Sequence, residues 1–208
     1  MLLDFLKTAF VTLLVTLDPP GLAPVFIGLT LGMTKAAKRE VARRASVIAF
    51  VILAVFAFGG GPMMGALGIT IPAFRIAGGL LLFYLAFEMV FELRSQRKQE
   101  FASDAMNIDR IRNVAAFPLA IPLMSGPGSI TAALLLAGRA AGDWQALGGL
   151  LAIIGLVMLL SYAVFLGAEQ ISRLLGTTGN IVLTRMLGVV LAALAVQFVI
   201  DGIMTVGK

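Results

Sequence analysis

The residues best suited to chemistry lie in two short segments that each interrupt a long apolar run. They are Asp18, Pro19, Pro20 and Gly21 in the first segment, and Ser125, Gly126, Pro127, Gly128 and Ser129 in the second. Proline has no N–H and clashes with the preceding turn, so it ends one helix but suits the first turn of the next. We predict that each segment breaks a helix and restarts it, with Asp18 and Ser125 at the N-cap positions.

A restarted helix offers a defined kind of binding site. Its first turn presents backbone N–H groups and a partial positive charge, which suit a carboxylate. The glycines of both segments let a ligand or a neighbouring helix approach the backbone closely. We therefore predict that residues 18–21 and 125–129 bind a small solute that carries a carboxylate. For either break taken alone, the alternative is a kink that serves helix packing only.

Two carboxylates inside the apolar runs are candidates for ion coupling. Asp18 lies deep within its run, where a carboxylate is costly and indicates function by default. The sequence leaves three roles open for it: to accept a proton, to bind a substrate ammonium, or to cap a helix. Glu88 is the second candidate for proton or ion coupling. Its structural alternative is snorkelling or pairing with Arg94 near the end of the third run.

The composition is that of an integral membrane protein. Of the 208 residues 60% are hydrophobic and 13% charged, and several apolar runs are long enough to cross a bilayer. The chain has no cysteine and no histidine, which excludes thiol chemistry and removes the commonest general base and metal ligand. No nucleotide-binding glycine-rich loop is present. We expect no enzyme activity, no metal site and no cofactor.

Apolar runs bounded by charge or by Gly/Pro clusters predict six transmembrane helices, at about 3–32, 46–68, 73–93, 114–138, 146–168 and 183–206. Eleven Lys and Arg residues fall in the odd-numbered connections and three on the opposite side, which predicts cytoplasmic odd-numbered connections and both termini outside. That distribution accounts for the net charge of +5 without nucleic acid as a partner.

An internal repeat divides the chain. Pro20-Gly21 aligns with Pro127-Gly128, and Arg75 to Gly78 aligns with Arg185 to Gly188. We predict a first repeat at 1–93, a connecting cytoplasmic loop at 94–113 and a second repeat at 114–208. Three spans per half is an odd number, so the second half must enter the membrane from the opposite side. The predicted fold is an all-α bundle of two inverted three-helix repeats, with helices 1 and 4 broken near mid-membrane.

These same segments carry a family resemblance. The run from Asp18 to Pro24, the basic stretch from Lys35 to Arg44 and the run from Phe117 to Thr131 resemble the MarC family of bacterial and archaeal inner-membrane proteins. The likeness covers the whole chain. It implies a multi-pass protein of the cytoplasmic membrane within the superfamily of LysE-type exporters. Some archaeal relatives are similar to transporters of small neutral amino acids such as glycine and alanine.

The predicted function is secondary transport of a small solute. The substrate would be a zwitterion, such as a small neutral amino acid, bound where the two breaks meet and driven by a proton or sodium gradient. The alternative is a structural or regulatory membrane protein whose breaks only shape packing. The sequence leaves the substrate, the direction, the coupling ion and the formation of a homo-oligomer open.

Overall fold

The computed structural model describes residues 2–94, 114–140 and 142–206, without the side chain of Met63. Within these ranges the chain is helical and contains no strand. The helices are α1 (Leu2–Leu17), α2 (Pro19–Leu29), α3 (Lys35–Ala66), α4 (Ile71–Val90), α5 (Ala115–Met124), α6 (Pro127–Arg139), α7 (Trp144–Leu166) and α8 (Ala168–Ile203). The predicted loop at 94–113 lies outside the described residues except for Arg94.

The helices are those of a membrane protein. In the described ranges, five helical spans are long and apolar enough to cross a bilayer, counting α1 and α2 as one span, and the bent pair of α5 and α6 makes a sixth. Large apolar side chains lie exposed on the outside of the bundle, as do Val47, Val51 and Val55 at one-turn intervals along α3. Such a surface suits hydrocarbon and not water. The prediction of an all-helical membrane protein is confirmed.

Two helices extend further than predicted, into the basic connections. α3 begins at Lys35 and not near residue 46, because its polar start is rich in good helix formers and Glu40 binds Arg43 and Arg44 at 2.9 and 2.6 Å. α8 begins at Ala168 and not near residue 183, and it is interrupted at Gly176, where φ is 60°. Hydropathy marks where a helix enters the membrane, and these helices continue beyond that point.

α4 and α8 run antiparallel and pack with their backbones in contact. A Cβ added at Gly79 would lie 2.8 Å from the carbonyl oxygen of Ala195, and one added at Gly188 would lie 3.2 Å from that of Ala86. Gly202 is equally close to the start of α4, since its added Cβ would lie 3.1 Å from the carbonyl oxygen of Pro72. Small residues allow this approach, as in many membrane helix pairs.

The two segments that the sequence singles out lie inside the bundle. Leu17 and Leu22 flank the first segment and Met124 precedes the second, and all three are fully buried in one apolar cluster. α3 packs against α5, α6 and α7, while α2 packs against α7 and α8. The breaks are therefore surrounded by protein and not by lipid, which is the setting that interrupted helices need in a membrane.

Candidate functional site

The first segment separates α1 from α2 at a single residue. Asp18 has φ 52° and ψ 63°, a left-handed conformation, and it is 1% exposed. Its Oδ1 accepts a hydrogen bond of 3.1 Å from the N–H of Gly21, so it is the N-cap that the sequence predicts. A Cβ at Gly21 would lie 2.0 Å from Oδ2 of Asp18, so this cap requires glycine there.

Arg94 donates a hydrogen bond at the end of α1 in place of the backbone N–H that Pro20 lacks. In an α-helix the N–H of residue 20 would bind the carbonyl oxygen of residue 16, and Pro20 has no N–H. The guanidinium of Arg94 donates to that carbonyl oxygen of Thr16 through Nη2, and Nη1 contacts Sδ of Met89 at 3.2 Å. It also lies within electrostatic range of the Asp18 carboxylate. Arg94, for which the sequence suggests only pairing with glutamate, thus belongs to the first break.

The second segment bends the chain by 59° between α5 and α6. The N-cap of α6 is Gly126, in extended conformation and with no side-chain cap. The prediction of Ser125 as the cap is therefore wrong by one residue. Its Oγ donates instead to the carbonyl oxygen of Ala49 on α3, at 3.4 Å. Ser129 in the first turn of α6 is 3% exposed.

The chain also departs from an α-helix before the second segment. α5 has wide turns, and Phe117 and Ile121 within it are extended, with φ of −132° and −124°. Each of them precedes a proline, Pro118 or Pro122, and proline disfavours the α conformation in the residue before it. The two X-Pro pairs, one turn apart, are the sequence feature that could have predicted this departure from an α-helix. The irregular region of the second half is therefore longer than that of the first.

Both breaks are linked to the last turns of α4, the second by direct contact and the first through Arg94 and a shared apolar cluster. A Cβ at Gly128 would lie 2.4 Å from Cδ2 of Leu85, so α4 contacts the second break directly. One turn later Met89 packs in a buried cluster with Val15, just before the first break, and contacts Arg94. Glu88 lies between these positions on α4 and is 1% exposed. α4 therefore connects the two breaks, and it carries Glu88, one of the two carboxylates that the sequence selects.

The two restarted helices differ in the N–H groups they offer. In α2 the first two residues are prolines, Gly21 donates to the Asp18 side chain, and Leu22 donates to the Asp18 carbonyl oxygen. The first turn of α2 is thus satisfied within the chain. The N-cap of α6, Gly126, has no side chain that could accept a hydrogen bond, so the N–H groups of Gly128 and Ser129 are not bound by a cap side chain. A carboxylate fits the start of α6 better than the start of α2.

Charged pairs hold the two ends of α4 and α8. Glu92, just after α4, binds Arg185 of α8 at 3.0 Å, so Arg185 links the two halves of the chain. At the other end Asp201 of α8 binds Arg139, which lies in the last turn of α6 and stacks over the ring of Phe198 at 4.3 Å. These pairs lie outside the breaks and fix the helices that surround them.

Three cavities border the described residues, and none of the three is lined by Asp18, Glu88 or Ser125. One, of about 500 Å³, lies where the end of α2 and the start of α3 meet the turn between α7 and α8. Another, of about 400 Å³, lies where the end of α3 meets the end of α6 and the start of α7. Asp18, Glu88 and Ser125 are each buried.

Comparison with known proteins gives a consistent result. A protein of Archaeoglobus fulgidus described as a UPF0056 membrane protein is 35% identical over 97% of this chain and 93% of its own length. Proteins with that description in Aquifex aeolicus and, as YhcE, in Escherichia coli are 38% and 34% identical, over 94% and 93% of this chain and 90% and 89% of their own. No solved structure matches the chain.

A family model connects these proteins with the two segments described above. The model described as MarC family integral membrane protein matches residues 3–206, which include both breaks and, apart from Leu2, all eight helices that the described residues form. The resemblance read from the sequence motifs is confirmed. The chain belongs to the MarC family of integral membrane proteins, which has members in bacteria and archaea.

Proposed function

We propose that this protein is a secondary transporter of a small zwitterion, with its substrate site between the two helix breaks. The observation that carries the proposal is that the breaks, which lie far apart in the chain, are both linked to the last turns of α4: Leu85 lies against Gly128, and Met89 contacts Arg94, which donates to Thr16 at the end of α1. Interrupted helices that meet inside a membrane bundle are the usual binding sites of secondary transporters. The substrate class is a small neutral amino acid such as glycine or alanine.

The polarity of the breaks supports a zwitterionic substrate. The first break combines the negative C-terminal end of α1 with the Asp18 carboxylate, which favours an ammonium group beside the Arg94 guanidinium that already binds the carbonyl oxygen of Thr16. The second break starts α6 with the N–H groups of Gly128 and Ser129, which suit a carboxylate. Small size follows from the burial of both segments.

Reciprocal contacts between α4 and α8 support an inverted repeat. Gly188 approaches the carbonyl oxygen of Ala86 and Cγ2 of Val90, and Gly79 approaches the carbonyl oxygen of Ala195 and Cγ2 of Val199. The members of each matched set, Gly79 with Gly188, Ala86 with Ala195 and Val90 with Val199, lie 109 positions apart. Such reciprocity is what a two-fold axis between the halves requires. It agrees with the breaks lying near mid-membrane in helices 1 and 4.

The proposed orientation follows from charge. The end of the bundle that carries the start of α3, the end of α4 and the turn between α7 and α8 is here called the basic end. It faces the cytoplasm by the positive-inside rule, and both chain termini then lie outside. Since Asp18 and Ser125 are buried, transport requires the halves to move and open the breaks to one side at a time.

The test is solute flux in proteoliposomes that contain the purified protein. Labelled glycine and alanine are offered under imposed proton and sodium gradients, and flux above that of empty liposomes is expected under one of the gradients. Flux that ignores both gradients would retain transport but remove the coupling. Absence of flux for both amino acids and for other small zwitterions would leave a structural or regulatory membrane protein as the function.

Two variants link the flux to the breaks. Asp18→Asn removes the charge at the first break, and Gly128→Leu forces a side chain against Leu85 at the second. Both are expected to reduce flux by about tenfold or more, on the order of 1.4 kcal/mol, while protein remains in the membrane. The matched control is Gly148→Ala on α7, where an added Cβ meets nothing within 4 Å. It should transport like the parent protein.

A further inference from the structure

The larger cavity, at the basic end, is lined by an unusual set of side chains. Its polar wall contains three cations, Lys35, Lys38 and Arg39, and a single carboxylate, Glu169. Lys38 binds Glu169 across the rim at 2.9 Å, so that pair is neutral as a unit. Lys35 and Arg39 are left as an excess of two positive charges facing about 500 Å³ of open space.

Only some of the basic residues of α3 line the cavity. Arg43 and Arg44 bind Glu40, at 2.9 and 2.6 Å, on the same helix and do not line the cavity. Lys35 and Arg39 are one turn apart and do line it. Nε of Arg39 donates to the Tyr162 hydroxyl at 3.1 Å, which fixes the guanidinium at the rim. Membrane topology requires positive charge at this end but not its concentration on one wall.

The floor of the cavity is aromatic. Phe26 and Phe165 stack with their ring centroids 4.8 Å apart, and both are buried. Phe26 is on α2, about 12 Å along the helix from Asp18 at the usual rise per residue. The stacked rings form an apolar part of the cavity wall.

The second cavity, at the opposite end, is the counterpart of this one. Seven of its lining residues correspond to residues that line the basic cavity, at a constant separation of 108 positions: Ala57 with Phe165, Phe58 with Leu166, Gly61 with Glu169, Pro62 with Gln170, Gly138 with Thr30, Asp143 with Lys35, and Leu147 with Arg39. The described lining of the second cavity contains a carboxylate, Asp143, and no lysine or arginine. The two cavities match in position and differ in charge.

We propose that the basic cavity is a binding site for the carboxylate of a small organic solute, held by Lys35 and Arg39 above the stacked Phe26 and Phe165. The anion gains from two excess cations and from the positive N-terminus of α3, which begins at Lys35. The solute's apolar part contacts the aromatic floor. Binding here does not depend on transport; only the role of the cavity as the charged entrance to the breaks rests on the proposed function.

The absence of cysteine from the chain permits a direct test. Leu166→Cys and Phe58→Cys place one thiol in each cavity, at corresponding positions that are 49% and 52% exposed. The purified full-length variants in detergent are labelled with an anionic and with a cationic thiosulfonate reagent. In Leu166→Cys the two nearby cations should favour the anionic reagent about fivefold at roughly 0.15 M salt. Phe58→Cys should show no such preference.

Removal of the two charges and competition with anions complete the test. Lys35→Gln with Arg39→Gln should abolish the preference at position 166, and millimolar glycine or acetate should slow labelling there but not at position 58. An equal preference at both positions, or one that survives the double substitution, would overturn the proposal. Slowing by phosphatidylglycerol in nanodiscs but not by soluble carboxylates would also overturn it, and would assign the cavity to a lipid headgroup.

Discussion

Arg94 donates a hydrogen bond to the carbonyl oxygen of Thr16, the acceptor that would bind residue 20 if that residue were not proline. The contact joins residues that lie at opposite ends of the first half of the chain. Inside a membrane no water is available to donate to the free carbonyl oxygens at a helix end, so a donor from another segment stabilises the break. The charge of Arg94 in turn attracts the Asp18 carboxylate.

This arrangement predicts coupling between Arg94 and Asp18. Arg94→Met leaves a buried carboxylate without its nearby cation and should lower the free energy of unfolding in detergent by about 3 kcal/mol. Adding Asp18→Asn should restore at least about 1 kcal/mol of that loss, because the uncompensated charge is then gone. Denaturant unfolding of the parent, the two single variants and the double variant measures this. Strictly additive effects would show that the two groups do not interact.

The contact of α4 with α8 predicts opposite effects for two glycine substitutions. Gly188→Ala brings a Cβ within 2.9 Å of Cβ of Met89 and should destabilise the protein by about 1 to 3 kcal/mol. Gly148→Ala meets nothing within 4 Å and should be neutral or stabilise α7 by up to about 1 kcal/mol. Thermal unfolding followed by circular dichroism distinguishes the two. Equal stability would contradict the close backbone packing described here.

The roles of Asp18 as a cap and as a charge can be separated by substitution. Asparagine keeps an acceptor for the Gly21 N–H and tolerates a φ of 52°, whereas alanine loses the cap and is strained in that conformation. Asp18→Asn keeps the cap but removes the charge near Arg94, so it should lose less stability than Asp18→Ala, which also loses the cap and should be about 2 kcal/mol less stable than Asp18→Asn. If both variants unfold alike, the cap contributes nothing. A stable Asp18→Asn protein with altered flux would assign the function to the charge.

The positions of the breaks are predictable from the sequence, but not all of their partners are. Pro19 and Pro20 indicate the end of α1 and the start of α2, because proline removes a donor wherever it stands in a helix. The same fact implies that Thr16 needs another donor, yet nothing local indicates that Arg94 provides it. Contacts between residues distant in the chain depend on how the helices pack, and a single sequence does not record that.

Errors in the prediction have local causes. Serine is a common N-cap, which favours Ser125, but Gly126 takes that position without a side chain and Ser125 turns to α3. The connection before α3 is charged, which suggests a loop, although charged residues spaced one turn apart stabilise a helix. Charge indicates where the membrane ends and says less about where a helix ends.

Glu88 gives a prediction about proton coupling. It is one turn from Leu85, which contacts Gly128 at the start of α6, where the proposed substrate carboxylate binds. Two carboxylates at one buried site repel each other, so substrate binding should favour protonated Glu88, and the proton would then travel with the substrate.

Flux should rise as pH falls. Glu88→Gln should abolish that dependence and uncouple flux from the proton gradient, while exchange of labelled for unlabelled substrate continues. Gln197→Ala, on α8 next to the Asp201 pair at the other end of the bundle, is the matched control. Unchanged dependence on the proton gradient in Glu88→Gln would remove Glu88 from coupling and leave Asp18 as the remaining candidate.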